Sequence, residues 1–282
     1  MAQKRVLAIH DISCVGKCSL TAALPIISSS GAECAVMPTA VLSTHTGGFE
    51  GYTYRDLSDD LLPIWSHWRA LGLRFDCVYT GFLGSSGQIG AVSRIIDEAR
   101  GDGALIVVDP VMGDAGELYP VFDKDFPDGM RRLCGKADVI LPNMTEAALL
   151  LGEGYAPPPH SKWYTEGLLE RLGRLGPRNV VLTGVSSDCG GMGAAAYDAR
   201  TGSVSYSSHD FVEGYYHGTG DVFGSVVVSA LMAGKGLAEA SAIAVDFTAE
   251  SIARTRAAGT DVRFGVDFEG GLGRLAHAIG RG

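Results

Sequence analysis

One carboxylate, Asp221, stands directly after a Gly218-Thr219-Gly220 turn and directly before the apolar run Val222 to Met232. Glycines on both sides of Thr219 let the backbone come close to a ligand and turn its amides inward. A helix beginning near Gly220 aims its unpaired N–H groups and the positive end of its dipole at the same point, so the turn is suited to an anion. The same dipole favours the ionised form of a carboxylate on the first turn. Asp221 is therefore able to accept a proton from an alcohol that attacks a terminal phosphate. Phosphoryl transfer asks for little more than a positioned hydroxyl, such a base, and donors for the charge that builds on the transferred group. Alone, Gly-x-Gly-Asp is also an ordinary helix start, and the weight falls on its company.

That company stands at the ends of short apolar runs: Asp109 and Asp114 in "VVDPVMGD", Asn143 and Glu146 in "LPNMTEAALLLG", Thr183 and Gly184 in "VVLTG". Carboxylates gathered in water-poor surroundings repel one another unless a cation compensates, and a hard divalent ion with oxygen ligands, magnesium, is the economical compensation. Each residue has a plainer reading. Asp109 can end a strand in a turn, and Asn143 with Glu146 three residues on spells a helix capping box.

The elements that must position these residues follow from periodicity. "RVLAIH" (5–10), "CAVMPT" (34–39), "DCVYTG" (76–81), "ALIVVDP" (104–110), "DVILPN" (138–143) and "NVVLTG" (179–184) are short and nearly continuously apolar, as parallel strands buried on both faces are. Helical stretches separate them, the clearest over 56–72, where Leu57, Leu61, Trp65, Trp68 and Leu71 keep helical spacing and Gly72 supplies a stop. Strand and helix in alternation imply a parallel sheet covered on both faces, with ligands beyond the carboxyl ends of the strands. From 191 to 211 two alternating runs around Asp198-Ala199-Arg200-Thr201-Gly202 predict an antiparallel hairpin at the sheet edge. Helices are expected at 220–233, 237–256 and 272–279, and the Pro-rich stretch 154–164 reads as a surface loop within one domain.

Composition narrows the classes. With 282 residues, 46% hydrophobic and 20% charged, the chain has ample material for a core, which excludes disorder. A net charge of −9 argues against nucleic acid bound on a broad basic surface, so an anion must be held locally. The N-terminal apolar run is too short for a signal peptide, and later apolar runs break before a membrane span is reached. A soluble cytoplasmic protein with no membrane partner is expected. Cys14, Cys18, Cys34, Cys77, Cys134 and Cys189 lack the spacings of a zinc site or disulfide scaffold and read as small buried side chains. "GKCS" at 16–19 fails as a phosphate loop, which would need Gly at Asp11 and Ser or Thr at Cys18.

"DPVMGD", "PNMTEAALL", "VVLTG" and "GTGDVF", in this order, resemble the ribokinase-like superfamily and, within it, the pyridoxal (pyridoxine, pyridoxamine) kinases. The likeness runs from "VLAIHD" through "PTAVLSTHTGGF" (38–49) and "YTGFLGSSGQI" (79–89) to the helices after Asp221. It implies one ribokinase-like domain over 1–282, a three-layer α/β/α sandwich with a mostly parallel sheet and an antiparallel edge hairpin. It also implies ATP-dependent phosphorylation of the 5'-hydroxymethyl group of a B6 vitamer, with Mg2+, K+ as an open further requirement, and a homodimer. By the same resemblance Asp221 is the catalytic base, and Gly218, Thr219 and Gly220 form the anion hole. Asp109, Asp114 and Glu146 serve the metal and phosphate region, with Asp109 and Glu146 as the metal pair and Asn143 close by. Thr183 with Gly184 meets a nucleotide phosphate. Thr46, with His45 beside it, touches the vitamer ring.

Two departures bear on the substrate. Where many pyridoxal kinases carry Gln-Ser-His after the first strand, this chain reads His10-Asp11-Ile12, and a carboxylate at Asp11 favours a cationic or donating ring substituent. Phe82 stands where a tyrosine is frequent, which keeps an aromatic wall and removes a hydroxyl. The rivals are a hydroxymethylpyrimidine kinase of thiamine synthesis and a vitamer-binding protein that has lost turnover. A sugar or nucleoside kinase would show an early Gly-Gly-Asn segment, and a dinucleotide-binding oxidoreductase a G-x-G-x-x-G after the first strand; the chain has neither.

Overall fold

The computed structural model describes residues 3–186 and 191–280. In chain order the elements are β1 (Arg5–Val15), α1 (Ser19–Ser29), β2 (Glu33–Thr44), β3 (Tyr54–Asp56), α2 (Ser58–Ala70), β4 (Cys77–Thr80), α3 (Ser86–Gly101), β5 (Leu105–Val108), β6 (Gly113–Asp114), β7 (Glu117–Leu118), α4 (Phe126–Cys134), β8 (Val139–Ile140), α5 (Met144–Leu151), α6 (Lys162–Gly173), β9 (Asn179–Ser186), β10 (Gly191–Asp198), β11 (Ser203–Asp210), α7 (Thr219–Met232), α8 (Leu237–Ala258) and α9 (Leu272–Ala278).

The six apolar runs become neighbouring parallel strands of a nine-stranded sheet ordered β11-β10-β9-β8-β5-β4-β1-β2-β3. Alternation within each strand divides the core. Leu7, Ile9 and Val78 join the layer of α2 to α6, while Val6, Cys77 and Tyr79 join that of α1, α7, α8 and α9. Three layers result, as expected. The edge hairpin also holds: β10 pairs antiparallel with β9 and with β11. β1 is flanked by β2 on one side and β4 on the other, so the strand order reverses beside it and its carboxyl end opens into the crevice where ligands of such sheets bind.

Several boundaries differ from the sequence reading. β3 pairs antiparallel with β2 and takes residues 54–56, so the following helix starts at Ser58 rather than at 56. Leu61 and Trp65 are buried as the stripe predicted, whereas Leu71 lies past the helix end and is exposed. The Pro-rich loop ends sooner, because Ser161 caps α6 by accepting the Tyr164 N–H and Lys162 to Tyr164 are helical. β1 runs on to Val15, and its last residues leave the core; Cys14 is exposed, contrary to the buried reading that Cys18, Cys77 and Cys134 satisfy. Cys189 lies outside the described residues. Among the described residues no helix is long and apolar enough to cross a membrane.

Candidate active site

α7 begins where the sequence placed it, and its first turn is open. Gly218 has φ +74° and packs so tightly that a Cβ would collide with the Lys17 carbonyl oxygen, so only glycine fits the turn. Among the described residues no side chain caps the helix, and a Cβ at Gly220 would meet none of them within 4 Å. The first-turn amides, which have no intrahelical acceptor, border free space. Thr219 turns its hydroxyl away to the Tyr216 carbonyl at 3.1 Å. Asp221 stands on this turn with its side chain 17% exposed.

Opposite lie the carboxylates of the strand ends. Asp109, past β5, is nearly fully buried; loss of water raises its pKa well above the usual carboxylate range, and Glu146 and Asp221 add like-charge repulsion. Glu146 is buried too. Its Oε2 accepts the Asn143 N–H at 2.8 Å and its Oε1 the Met112 N–H at 3.1 Å, while Asn143 Oδ1 accepts the Glu146 N–H at 2.9 Å. The capping box is therefore present, and it ties α5 to the loop after β5. Burial raises the Glu146 pKa as well, with Asp114 adding to it and the amides opposing. Beyond α5 the Thr183 N–H donates to the Pro142 carbonyl at 2.9 Å, and Gly184 follows at φ +71°.

One cavity of about 460 Å³ unites Asp109, Asp114, Asn143, Glu146, Thr183, Gly184 and the Gly218 to Asp221 turn. Its wall includes residues the sequence reading passed over, among them Tyr119, Tyr215, His217 and Thr248. His217, one residue before the glycine turn, was within reach of motif reasoning; Thr248 carries no local signal, since only the packing of α8 brings it there. Among the described residues no group of three or more His, Cys, Asp or Glu is placed to hold a metal by itself. Asp109 and Glu146 supply two mutually repelling carboxylates, a set that suits magnesium when phosphates and water complete its shell.

The four ring-side residues do not line this cavity. Asp11, 5% exposed, accepts the Ser19 hydroxyl at 2.5 Å and the Ser13 hydroxyl at 3.0 Å. It sits where β1 and β2 slip register, opposite Thr39 and Ala40. Burial, with repulsion from Asp221, raises its pKa, so the freely ionised carboxylate expected from the sequence gives way to one clasped by two hydroxyls. His45 lies 2.5 Å by Nε2 from the Arg263 carbonyl, its ring 4.9 Å from that of His217 on the cavity wall. Thr46 is exposed, and Phe82 is half-buried against Phe122 at 5.6 Å.

With this geometry in hand, likeness to known proteins is informative. The family model described as phosphomethylpyrimidine kinase matches residues 20–264. A pyridoxal kinase of Deinococcus radiodurans is 30% identical over 64% of this chain and 62% of its own length. The first two curated relatives are matched over 48% and 62% of their length. A Bacteroides thetaiotaomicron structure described as a phosphomethylpyrimidine kinase, in a crystal form with pyridoxal, is 38% identical with a TM-score of 0.92, over 97% of this chain and 96% of that one. A pyridoxal kinase structure from Lactobacillus plantarum is 35% identical with a TM-score of 0.89, over 98% of each chain. The ribokinase-like architecture expected from the motifs is that of these structures.

Proposed function

The chain belongs to the phosphomethylpyrimidine kinase family, and from that premise we propose that it is a kinase that phosphorylates the 5'-hydroxymethyl group of a B6 vitamer (pyridoxal, pyridoxine or pyridoxamine) with ATP, in a single domain spanning 1–282. The observation that carries this reading is the uncapped α7 turn with Asp221 on it, facing Asp109 and Glu146 across one cavity. The pyridoxal in the Bacteroides structure and the kinase relatives support the vitamer and the phosphate donor.

In this reading the open amides after Gly218 receive the negative charge that develops on the transferred phosphoryl group. Asp221 accepts the proton of the attacking hydroxyl. Asp109 and Glu146 hold Mg2+, which when bound neutralises the nucleotide phosphates. Thr183 and Gly184, at the bulge where β9 slips register against β10, border the nucleotide. Asp11 from the register slip within β1, His45 and Thr46 from beyond β2, and Phe82 from beyond β4 receive the vitamer, and the clasp of Ser13 and Ser19 fixes which way the Asp11 carboxyl points. A second copy of the chain completes a homodimer in the cytoplasm.

The family description keeps hydroxymethylpyrimidine as the second reading, since it too is a heteroaromatic with a hydroxymethyl group. Purified protein with ATP and magnesium is offered pyridoxal, pyridoxine, pyridoxamine and hydroxymethylpyrimidine in separate reactions, and products are identified by mass and 31P resonance. Phosphomonoesters of the B6 vitamers are the expected products. A phosphomonoester of the pyrimidine alone would reverse the assignment, and none at all would favour a binding protein.

A further inference from the structure

His10 lies on β1, where the strand order reverses, and is completely buried. Among the described residues neither of its ring nitrogens has a hydrogen-bond partner. A polar ring stripped of water and left unpaired is unfavourable, and native cores rarely keep one without a use. The surroundings hold it in one place. The Tyr79 ring packs edge-on at 4.4 Å, and Gly81, just beyond β4, leaves the space next to Nδ1 that any side chain would fill.

The nearest charged group is Asp221, whose Oδ1 lies 3.8 Å from His10 Nδ1. That separation is too long for a hydrogen bond and too short to admit a bridging water. Asp221 is 17% exposed on the first turn of α7, and a movement of about 1 Å brings the two atoms to bonding distance; catalytic hydrogen bonds commonly shorten in this way when ligands bind. Resting on the reading of Asp221 as the base, we infer that His10 is a positioning residue. Its Nδ1–H docks on Asp221 Oδ1 in the loaded enzyme, and Oδ2 is left directed at the acceptor hydroxyl. A carboxylate with one oxygen anchored has a single productive orientation, which acts on turnover rather than on substrate affinity.

His10→Phe fills the same space against Tyr79 and removes both nitrogens; His10→Gln keeps an N–H donor. Steady-state kinetics, thermal midpoints and nucleotide binding are compared for wild type, both variants, Asp221→Asn and the double variant His10→Phe/Asp221→Asn. The expected result is a ten- to hundredfold loss of kcat in His10→Phe, KM values for ATP and vitamer within twofold, an unchanged midpoint, and recovery of most of the loss in His10→Gln. In the double variant His10→Phe adds nothing to the loss from Asp221→Asn. Independently of activity, 15N NMR of the wild-type protein with ADP and vitamer should find the His10 proton on Nδ1. Retention of more than half of kcat in His10→Phe, an equal loss in Phe and Gln variants, or a proton on Nε2 alone overturns the inference. If Asp221→Asn itself stays active, the base assignment fails first, which separates the two failures.

Discussion

Asn143 and Glu146 satisfy each other's backbone: Asn143 Oδ1 accepts the Glu146 N–H at 2.9 Å, and Glu146 Oε2 accepts the Asn143 N–H at 2.8 Å. The other Glu146 oxygen takes the Met112 N–H, yet the same carboxylate lines the cavity beside Asp109. One side chain thus fastens α5 and faces the phosphate region. Glu146→Gln offers only one acceptor oxygen to two buried amides, so a stability loss of about 1–2 kcal/mol is expected. The half-saturating magnesium concentration should rise several-fold while the vitamer KM changes less than twofold. Metal titrations superimposable on wild type would leave Glu146 as a cap only.

Asp109 is held above the usual carboxylate range by burial, then by Glu146 and Asp221. The unfolded chain gives up this proton at lower pH than the folded one, so between the two pKa values the folded state binds more protons and stability falls as pH rises. Without metal or nucleotide, the thermal midpoint should therefore decline from the pH of ordinary carboxylate titration up through the raised folded pKa. Asp109→Asn flattens that decline, raises the midpoint at alkaline pH by about 2 °C or more, and lowers activity. A variant whose midpoint runs parallel to wild type across this range contradicts the account.

Gly218 and Gly220 flank one threonine and should respond in opposite ways to the same change. Gly218→Ala forces a Cβ into the Lys17 carbonyl at positive φ and is expected to destabilise by about 2 kcal/mol or more. Gly220→Ala enters open space, so the midpoint holds while kcat falls, because the new methyl crowds the anion site. Differential scanning calorimetry beside initial rates separates the two. Equal midpoints for both variants would be evidence against the described turn.

Asp11 is expected to set vitamer preference through its clasped carboxyl. Asp11→Ser exchanges a charge-assisted hydrogen bond for a neutral one and should move the kcat/KM ratio of pyridoxal over pyridoxamine upward by roughly tenfold. Equal losses on all vitamers, together with a lowered midpoint, would mean that Asp11 serves only to hold Ser13 and Ser19.

The central strands were legible because β1, β4, β5 and β8 are buried on both faces and read as continuous apolar runs, and the nucleotide side of the site was legible because its residues stand at the ends of such runs. β3 was not: Tyr54, Arg55 and Asp56 are all exposed, so no burial pattern marks them. The sequence offered Glu146 as a cavity carboxylate or as a cap; that one side chain is both at once needed coordinates. The Asp11 clasp was also hidden. Ser19 reaches it from the start of α1, at φ +49°, and no local pattern announces that a helix start folds back on a strand end. Tyr215 and Thr248 reach the cavity only through tertiary packing.

The central claim is that Asp221, on the uncapped first turn of α7, is the base for phosphoryl transfer. Its most direct test is the turnover of Asp221→Asn with the vitamer that wild type phosphorylates best, read beside nucleotide affinity and thermal midpoint. A fall in kcat of about a hundredfold or more, with ADP affinity and midpoint unchanged, is the predicted result. A variant that keeps more than half of wild-type turnover would contradict it.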